Sequence, residues 1–166
     1  MILAPNNFRD LEYIVPRAFW KQKGAKVVTA SSAPCSVGRF GYEVQNEFLL
    51  EEISSDTFDG VFFVGGAGAL DFEQNENARY IAKDFAKMGK PVGAICAAPR
   101  NLLAWGLLRG KKCTGHNWDG RFGALCDAHG ATFEEKPVVQ DGNICTANGP
   151  EAAEEASLTF WRMLGV

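Results

Sequence analysis

The chain has 166 residues, 46% hydrophobic and 22% charged, which is typical of one globular domain, and we expect residues 1–166 to form it. A net charge of −3 without a long basic run gives no support for nucleic-acid binding, and no apolar stretch is long enough to cross a membrane. Five widely spaced cysteines without a CxxC motif, and only two histidines, argue against a disulfide framework or a multi-histidine metal site and favour the reducing cytoplasm.

Hydrophobic periodicity predicts strands that alternate with helices along the chain. We predict strands over residues 1–5, 26–30, 60–64, 92–95 and 111–114, and helices over residues 10–23, 70–88, 101–105, 120–129 and 151–164. Residues 35–53 are mixed and are interpreted as a small hairpin or excursion. Asp141-Gly142, between two short apolar runs, indicates a two-residue hairpin turn. This order predicts a mainly parallel sheet that is covered on both faces.

The most informative motif lies in residues 91–104. A short apolar run, Val92 to Ile95, stops at Cys96, and small residues, Pro99 and a helical pattern follow. This order is typical of a buried strand, a tight turn and a helix start with a thiol at the corner, the geometry that a serine occupies in the nucleophile elbow of α/β-hydrolases. Free N–H groups and the helix dipole at such a corner favour the thiolate, so we interpret Cys96 as reactive rather than as a buried, inert cysteine.

Ligands of parallel-sheet folds bind beyond the carboxyl ends of the strands. Cys96, Gly65-Gly66 and the loop at Asn6-Asn7 all follow predicted strands. We therefore expect these segments to meet at one edge of the sheet and to form the site there.

Six motifs along the chain occur together in one known family. They are, in order, Glu12-Tyr-Ile-Val-Pro16, Gly65-Gly66, Ala94-Ile-Cys-Ala-Ala-Pro99, Gly106-Leu-Leu-Arg-Gly-Lys-Lys112, His116 and Asn148-Gly-Pro150. In this order the motifs resemble the ThiJ/PfpI superfamily, and the resemblance covers essentially the whole chain. It implies a flavodoxin-like three-layer α/β/α sandwich, a cysteine nucleophile on the elbow, chemistry without a cofactor or metal, and a homodimer.

The resemblance also implies roles for individual residues. Cys96 stands at the position of the reactive cysteine, and Glu12 at the position of a carboxylic acid that hydrogen-bonds its sulfur; the alternative for Glu12 is a solvated helix residue. A buried carboxyl prefers to stay protonated and then donates to a thiolate. The N–H groups of Gly66 and Ala97 match an anion-binding pocket, although Gly66 is equally explained by a backbone torsion that only glycine adopts.

Further residues are expected around this site. His116 matches a family histidine near the nucleophile, where it acts as general base or orients a substrate carbonyl, or else it is a surface loop histidine. Trp118, two residues later, is expected to wall the pocket, and Gly65 to border it. Arg100 replaces a commonly apolar family residue; it either lines the pocket and attracts an anionic substrate or points to solvent.

One departure from the family bears on function, because protease-like members carry a histidine directly after the nucleophile and this chain has Ala97. The leading hypothesis is therefore a stress-protective, cysteine-dependent enzyme acting on a small 2-oxoaldehyde or a glycated substrate, as a glutathione-independent glyoxalase or a deglycase. The first alternative is an oxidative-stress sensor or chaperone that uses the same cysteine. The second is an intracellular cysteine peptidase.

Overall fold

A computed structural model describes residues 1–165 of the chain. Its strands are β1 (Asn6–Phe8), β2 (Ala30–Ser31), β3 (Cys35–Gly38), β4 (Glu43–Gln45), β5 (Phe48–Leu49), β6 (Val61–Phe63), β7 (Val92–Ile95), β8 (Lys112–Cys113), β9 (Thr132–Phe133), β10 (Val138–Asp141) and β11 (Ile144–Ala147). Its α-helices are α1 (Asp10–Gln22), α2 (Glu76–Lys87), α3 (Ala98–Ala104), α4 (Phe122–Ala128) and α5 (Ala153–Met163). Short 3-10 helices are formed by Leu50–Glu52, Ala67–Gln74 and Pro150–Ala152.

The central sheet is mainly parallel, as predicted. Its strands lie in the order β10-β11-β7-β6, in which β11, β7 and β6 are parallel and β10 is antiparallel at the edge. Ile2 bridges β6 to β2, which pairs in parallel with β5. Residues Val92 to Ile95 of β7 are all buried, which is typical of a central strand covered on both faces.

Helices cover the two faces of this sheet and give a flavodoxin-like three-layer sandwich. Helix α1 packs against α5 on one face, where the Trp20 ring lies 5.2 Å from the rings of both Phe62 and Phe160. Helices α2 and α3 pack against β7 from the other side. Gly93 of β7 permits the close approach of α5, because a Cβ there would lie 2.9 Å from the Phe160 ring of α5 and 2.2 Å from the ring of Phe62.

Two predicted strands near the amino terminus are shorter in the structure. Within residues 1–5, Ile2 alone forms ladder bridges, donating its N–H to Phe62 O at 2.8 Å while Leu3 donates to Ala30 O at 3.0 Å. The strand predicted over 26–30 is reduced to β2, because regular pairing with β5 begins only at Ala30. Strands β1 and β9 were not predicted.

Residues 35–53 form the predicted hairpin, β3 and β4, which joins β1 in a second small sheet. The helix predicted over 70–88 is divided by Asn75, which has extended backbone and caps α2 by accepting the Ala78 N–H at 2.9 Å. The hairpin predicted at Asp141-Gly142 is confirmed, with Gly142 at a φ of 60°. Of the helices within residues 1–165, none has the length and hydropathy that a bilayer span requires.

Candidate active site

Cys96 occupies the corner between β7 and α3, as the sequence predicted. Its φ of 61° lies in the left-handed region that residues other than glycine rarely adopt. Two backbone hydrogen bonds to neighbouring segments hold this conformation. The Cys96 N–H donates to Ala147 O at 2.8 Å, and the His116 N–H donates to Cys96 O at 2.8 Å. Strained residues that are held in this way cluster at active sites, which makes this corner the leading candidate.

Glu12 lies against the thiol rather than on a solvated helix face. Its side chain is 0% exposed, and its Oε2 accepts the Gly65 N–H at 3.1 Å. Its Oε1 is buried and has no hydrogen-bond partner within residues 1–165. Gly65 makes the approach possible, because a Cβ there would lie 2.5 Å from Glu12 Oε2 and 2.7 Å from the Cys96 Cβ. Glycine is therefore the spacer that lets carboxyl and thiol meet.

The N–H groups of Gly66 and Ala97 converge on the sulfur of Cys96, where both favour its anionic form. Gly66 also has a φ of 101°, and a Cβ on it would lie 2.4 Å from Asn7 O and 2.5 Å from Arg9 N. Gly66 therefore has both of the features expected for it: a backbone torsion that favours glycine, and an N–H group directed at the sulfur.

Burial dominates the titration of this pair. It raises the pKa of Glu12 to about 8. Burial, and to a lesser extent the charge of Glu12, raises the pKa of Cys96 to about 12, although the N–H groups of Gly66 and Ala97 act to lower it. The N–H groups at the corner therefore favour the thiolate, as predicted, but burial and the charge of Glu12 outweigh them. The two groups therefore hold both protons at neutral pH, and the first proton to leave, near pH 8, comes mainly from Glu12.

His116 is tied to the elbow and is not a free surface histidine. Its half-buried ring places Nδ1 at 3.2 Å from Asn148 O. A carbonyl oxygen only accepts, so Nδ1 carries the proton of the neutral ring and Nε2 is left as its acceptor. The ring stacks on Trp118, with centroids 5.4 Å apart and planes at 24°.

Arg100 follows neither of the two interpretations that its sequence position left open. Its Nη1 and Nη2 lie 3.1 and 2.6 Å from the carboxylate oxygens of Asp119, and its side chain is 12% exposed. The guanidinium therefore does not point to solvent, and its charge is already neutralised. Its Cζ lies 3.9 Å from the centroid of Trp118, which is itself 51% exposed beside His116.

Sequence reasoning missed one acidic residue at this site. Glu151 falls within the helix predicted over residues 151–164, where it was given no role at the site, and it is exposed. In the structure its Oε2 lies 3.4 Å, and His116 Nδ1 3.8 Å, from the point where a Cβ on Gly149 would stand. Its charge also raises the pKa of Glu12. The only signal in the sequence was its position directly after the Asn148-Gly149-Pro150 motif.

A cavity of about 670 Å³ lies at the opposite end of the sheet, where Met1 and Gly60 precede their strands. Its walls include Trp20, Phe58 and Trp161 and none of the predicted site residues. Because parallel-sheet sites form at the carboxyl ends of strands, the corner at Cys96 is the better candidate.

Known proteins resemble this chain over nearly its whole length. The model of the DJ-1/PfpI family matches residues 1–163. A Pyrococcus abyssi protein named deglycase is 34% identical over 151 residues, 90% of this chain and 89% of its own. A Bacillus subtilis protein named putative cysteine protease YraA is 28% identical and covers 92% of this chain and 90% of its own. The crystal structure of a ThiJ/PfpI domain protein from Brachyspira murdochii superposes with a TM-score of 0.92 at 25% identity, over 99% of this chain and 94% of that one.

Proposed function

The chain belongs to the DJ-1/PfpI family, and from this premise we propose that it is a cysteine-dependent, cofactor-free enzyme for 2-oxoaldehydes or the adducts that they form on proteins. The observation that carries the proposal is the buried contact of the Cys96 thiol with the Glu12 carboxyl, beneath the N–H groups of Gly66 and Ala97. A nucleophile, a proton carrier and two oxyanion donors are the groups that aldehyde addition requires.

The first step is addition to the aldehyde. The reacting species is the minor form of the pair, with the proton on Glu12 and the charge on Cys96. Its sulfur donates an electron pair to the aldehyde carbon, and the C=O π electrons move to the carbonyl oxygen. The N–H groups of Gly66 and Ala97 hold the resulting hemithioacetal oxyanion, which then takes a proton.

The second step moves a hydrogen within the adduct. A base, Nε2 of His116 or the Glu12 carboxylate, removes the proton from the former aldehyde carbon, and a proton is returned to the neighbouring carbon. The hydroxyl proton on the first carbon is transferred to the ketone oxygen on the second. The first carbon is thereby oxidised and the second reduced, so the product is a 2-hydroxyacyl thioester and no external oxidant is consumed. One water then adds to the thioester and expels the Cys96 thiolate, which regains its proton.

Conversion of methylglyoxal to lactate without glutathione tests this proposal. We expect turnover by the wild type and by Cys35→Ser, which removes an exposed cysteine, and none by Cys96→Ser or Glu12→Ala. Turnover that survives Cys96→Ser would overturn the mechanism. Absence of turnover in the wild type, with Cys96 still alkylating, would overturn the glyoxalase activity and favour a redox role for the same thiol.

A redox role is the second candidate, because the buried Oε1 of Glu12 has no partner within residues 1–165 and is positioned to donate a proton to an oxidised sulfur. Peroxide titration followed by intact mass tests it: oxidation confined to Cys96 at low dose supports a sensor, and oxidation spread over several cysteines contradicts it. Peptidase activity is less well supported because Ala97 replaces the adjacent histidine; absence of casein cleavage would dismiss it.

We also propose that the protein is a homodimer through the face beside the site. Phe40 and Tyr42 are 69% and 43% exposed on the β3–β4 hairpin. Asp10 of α1, two residues before Glu12, connects this hairpin to the helix. Its carboxylate accepts the backbone N–H groups of Phe40 and Tyr42, each at 3.0 Å. Light scattering tests the proposal: Phe40→Glu should yield a monomer, whereas Tyr80→Glu, an equally exposed control on α2, should not. A monomeric wild type contradicts it.

A further inference from the structure

Arg100 joins helix α3 to the loop that carries His116. It lies four residues after Cys96, and its guanidinium contacts three successive parts of that loop. Two nitrogens bind the Asp119 carboxylate, the planar group lies 3.9 Å from the Trp118 ring centroid, and Nη2 approaches His116 O at 3.5 Å. These contacts serve no step of the mechanism above and need a separate explanation.

The geometry of these contacts is that of a rigid support. A bidentate arginine–carboxylate pair fixes both distance and plane, and here the two side chains are only 12% and 29% exposed. Arg100 holds the pKa of Asp119 at about 2, so the pair stays charged throughout the pH range of the enzyme. The guanidinium also attracts the indole face of Trp118. Trp118 in turn stacks on His116, so that Arg100, Trp118 and His116 form a continuous series of contacts.

We propose that Arg100 is a positioning residue, which fixes the His116 imidazole beside the elbow through Trp118 and Asp119. With Nδ1 held by Asn148 O and the ring plane held by Trp118, Nε2 keeps a single direction relative to Cys96. Arg100 therefore acts on the orientation of the base and not on the charge of the substrate. Its catalytic consequence rests on the proposed function, whereas its effect on the His116 ring does not.

The variant Arg100→Lys tests the proposal, because lysine keeps the positive charge and the ion pair but loses the planar, bidentate contact. We expect kcat for the 2-oxoaldehyde to fall by a factor of about ten or more, since small displacements of a catalytic group are costly. The alkylation rate of Cys96 should stay unchanged. Asp119→Asn should act in the same direction and serves if the first variant folds poorly. Arg79→Lys, which alters an exposed ion pair with Glu76, is the matched control and should leave kcat unchanged.

Proton NMR gives a readout that does not depend on turnover. The chain has two histidines, so in a His129→Gln background the imidazole signals belong to His116 alone. The ring current of the stacked Trp118 should shift them upfield, and Arg100→Lys should reduce this shift. An unchanged shift, or an unchanged kcat in an active enzyme, overturns the proposal. If the wild type turns over no 2-oxoaldehyde, the proposed function fails separately, and the NMR shift alone decides the positioning role.

Discussion

Glu12 and Cys96 form a coupled pair, and the pair predicts how reactivity depends on pH. Below pH 8 both groups hold their protons and the sulfur is a poorly nucleophilic thiol. Because the pKa of Glu12 is raised to about 8 and that of Cys96 to about 12, the pair loses its first proton mainly from Glu12. The minor form with its proton on Glu12 and its charge on Cys96 grows up to that pH and then stays constant. We therefore expect iodoacetamide alkylation of Cys96, followed by mass spectrometry, to accelerate through pH 8 and then level off.

The matched variants separate this coupling from ordinary thiol ionisation. Glu12→Gln has no proton to lose near pH 8 and no charge to oppose the thiolate, so its alkylation rate should show no inflection there and should be higher at pH 9 than that of the wild type. Glu154→Gln removes an exposed carboxylate from α5 and should retain the wild-type profile. An inflection at pH 8 that persists in Glu12→Gln contradicts the assignment of that proton to the pair.

Gly65 predicts a second effect of a single residue. In Gly65→Ala the new methyl group would meet Ile95 O at 2.4 Å, Glu12 Oε2 at 2.5 Å and the Cys96 Cβ at 2.7 Å. Because these neighbours are the backbone of β7 and buried side chains, we expect a loss of about 1–3 kcal/mol in the free energy of unfolding, together with loss of turnover. Gly123→Ala in α4 meets only Phe133 at 3.4 Å and should be neutral or slightly stabilising. Urea unfolding measures both variants, and equal stabilities would contradict the steric account.

At the scale of elements, Asn75 determines where α2 begins. Asn75→Ala removes the side-chain oxygen that accepts the Ala78 N–H, and we expect it to destabilise the protein by about 1 kcal/mol, measured by urea unfolding. Asn75→Asp retains a capping oxygen and should restore most of the stability. A fully stable Asn75→Ala would show that the 3-10 segment Ala67–Gln74 and α2 do not depend on this cap.

Asn75 also shows how far elements can be read from the sequence. Hydrophobic periodicity predicted helical structure over residues 70–88, and nearly all of these residues are helical. The periodicity continues across Asn75, so it did not show that a 3-10 helix ends and α2 begins there. The hairpin at Asp141-Gly142 was predictable because its turn chemistry is local. Strands β1 and β9 were missed because such short strands exist only through their partners, β3 and β8.

At the scale of the whole molecule, the sequence predicted the parts of the site that depend on local patterns and missed the parts that depend on tertiary contacts. The Cys96 corner and the Gly65-Gly66 turn follow local patterns at strand ends, so the sequence indicated them directly. The contact of Arg100 with Asp119 joins residues from two elements, and no local pattern shows whether an arginine faces solvent or a carboxylate. The positions of Glu151 and His116 on either side of Gly149 likewise depend on how the chain turns there.

The packing of the whole molecule also predicts which cysteines react. Cys35 is exposed, and Cys96, directly after the carboxyl end of β7, is 8% exposed. The other three lie in the core: Cys113 and Cys126 are in contact, with sulfurs 3.5 Å apart, and Cys145 is 1% exposed. Native protein should therefore take up iodoacetamide at Cys35 and Cys96 only, with the core thiols reacting at the rate of unfolding.

Peptide mapping after labelling, with and without urea, measures this pattern, and Cys35→Ser should leave a single labelled site in the native protein. Rapid labelling of Cys113 or Cys126 without urea would contradict the packing described for β8 and α4. The pattern also bears on the redox candidate, because peroxide reaches the core thiols only if the fold opens. Oxidation of the native protein should therefore stop at Cys96 and at the exposed Cys35, and further oxidation should coincide with loss of structure.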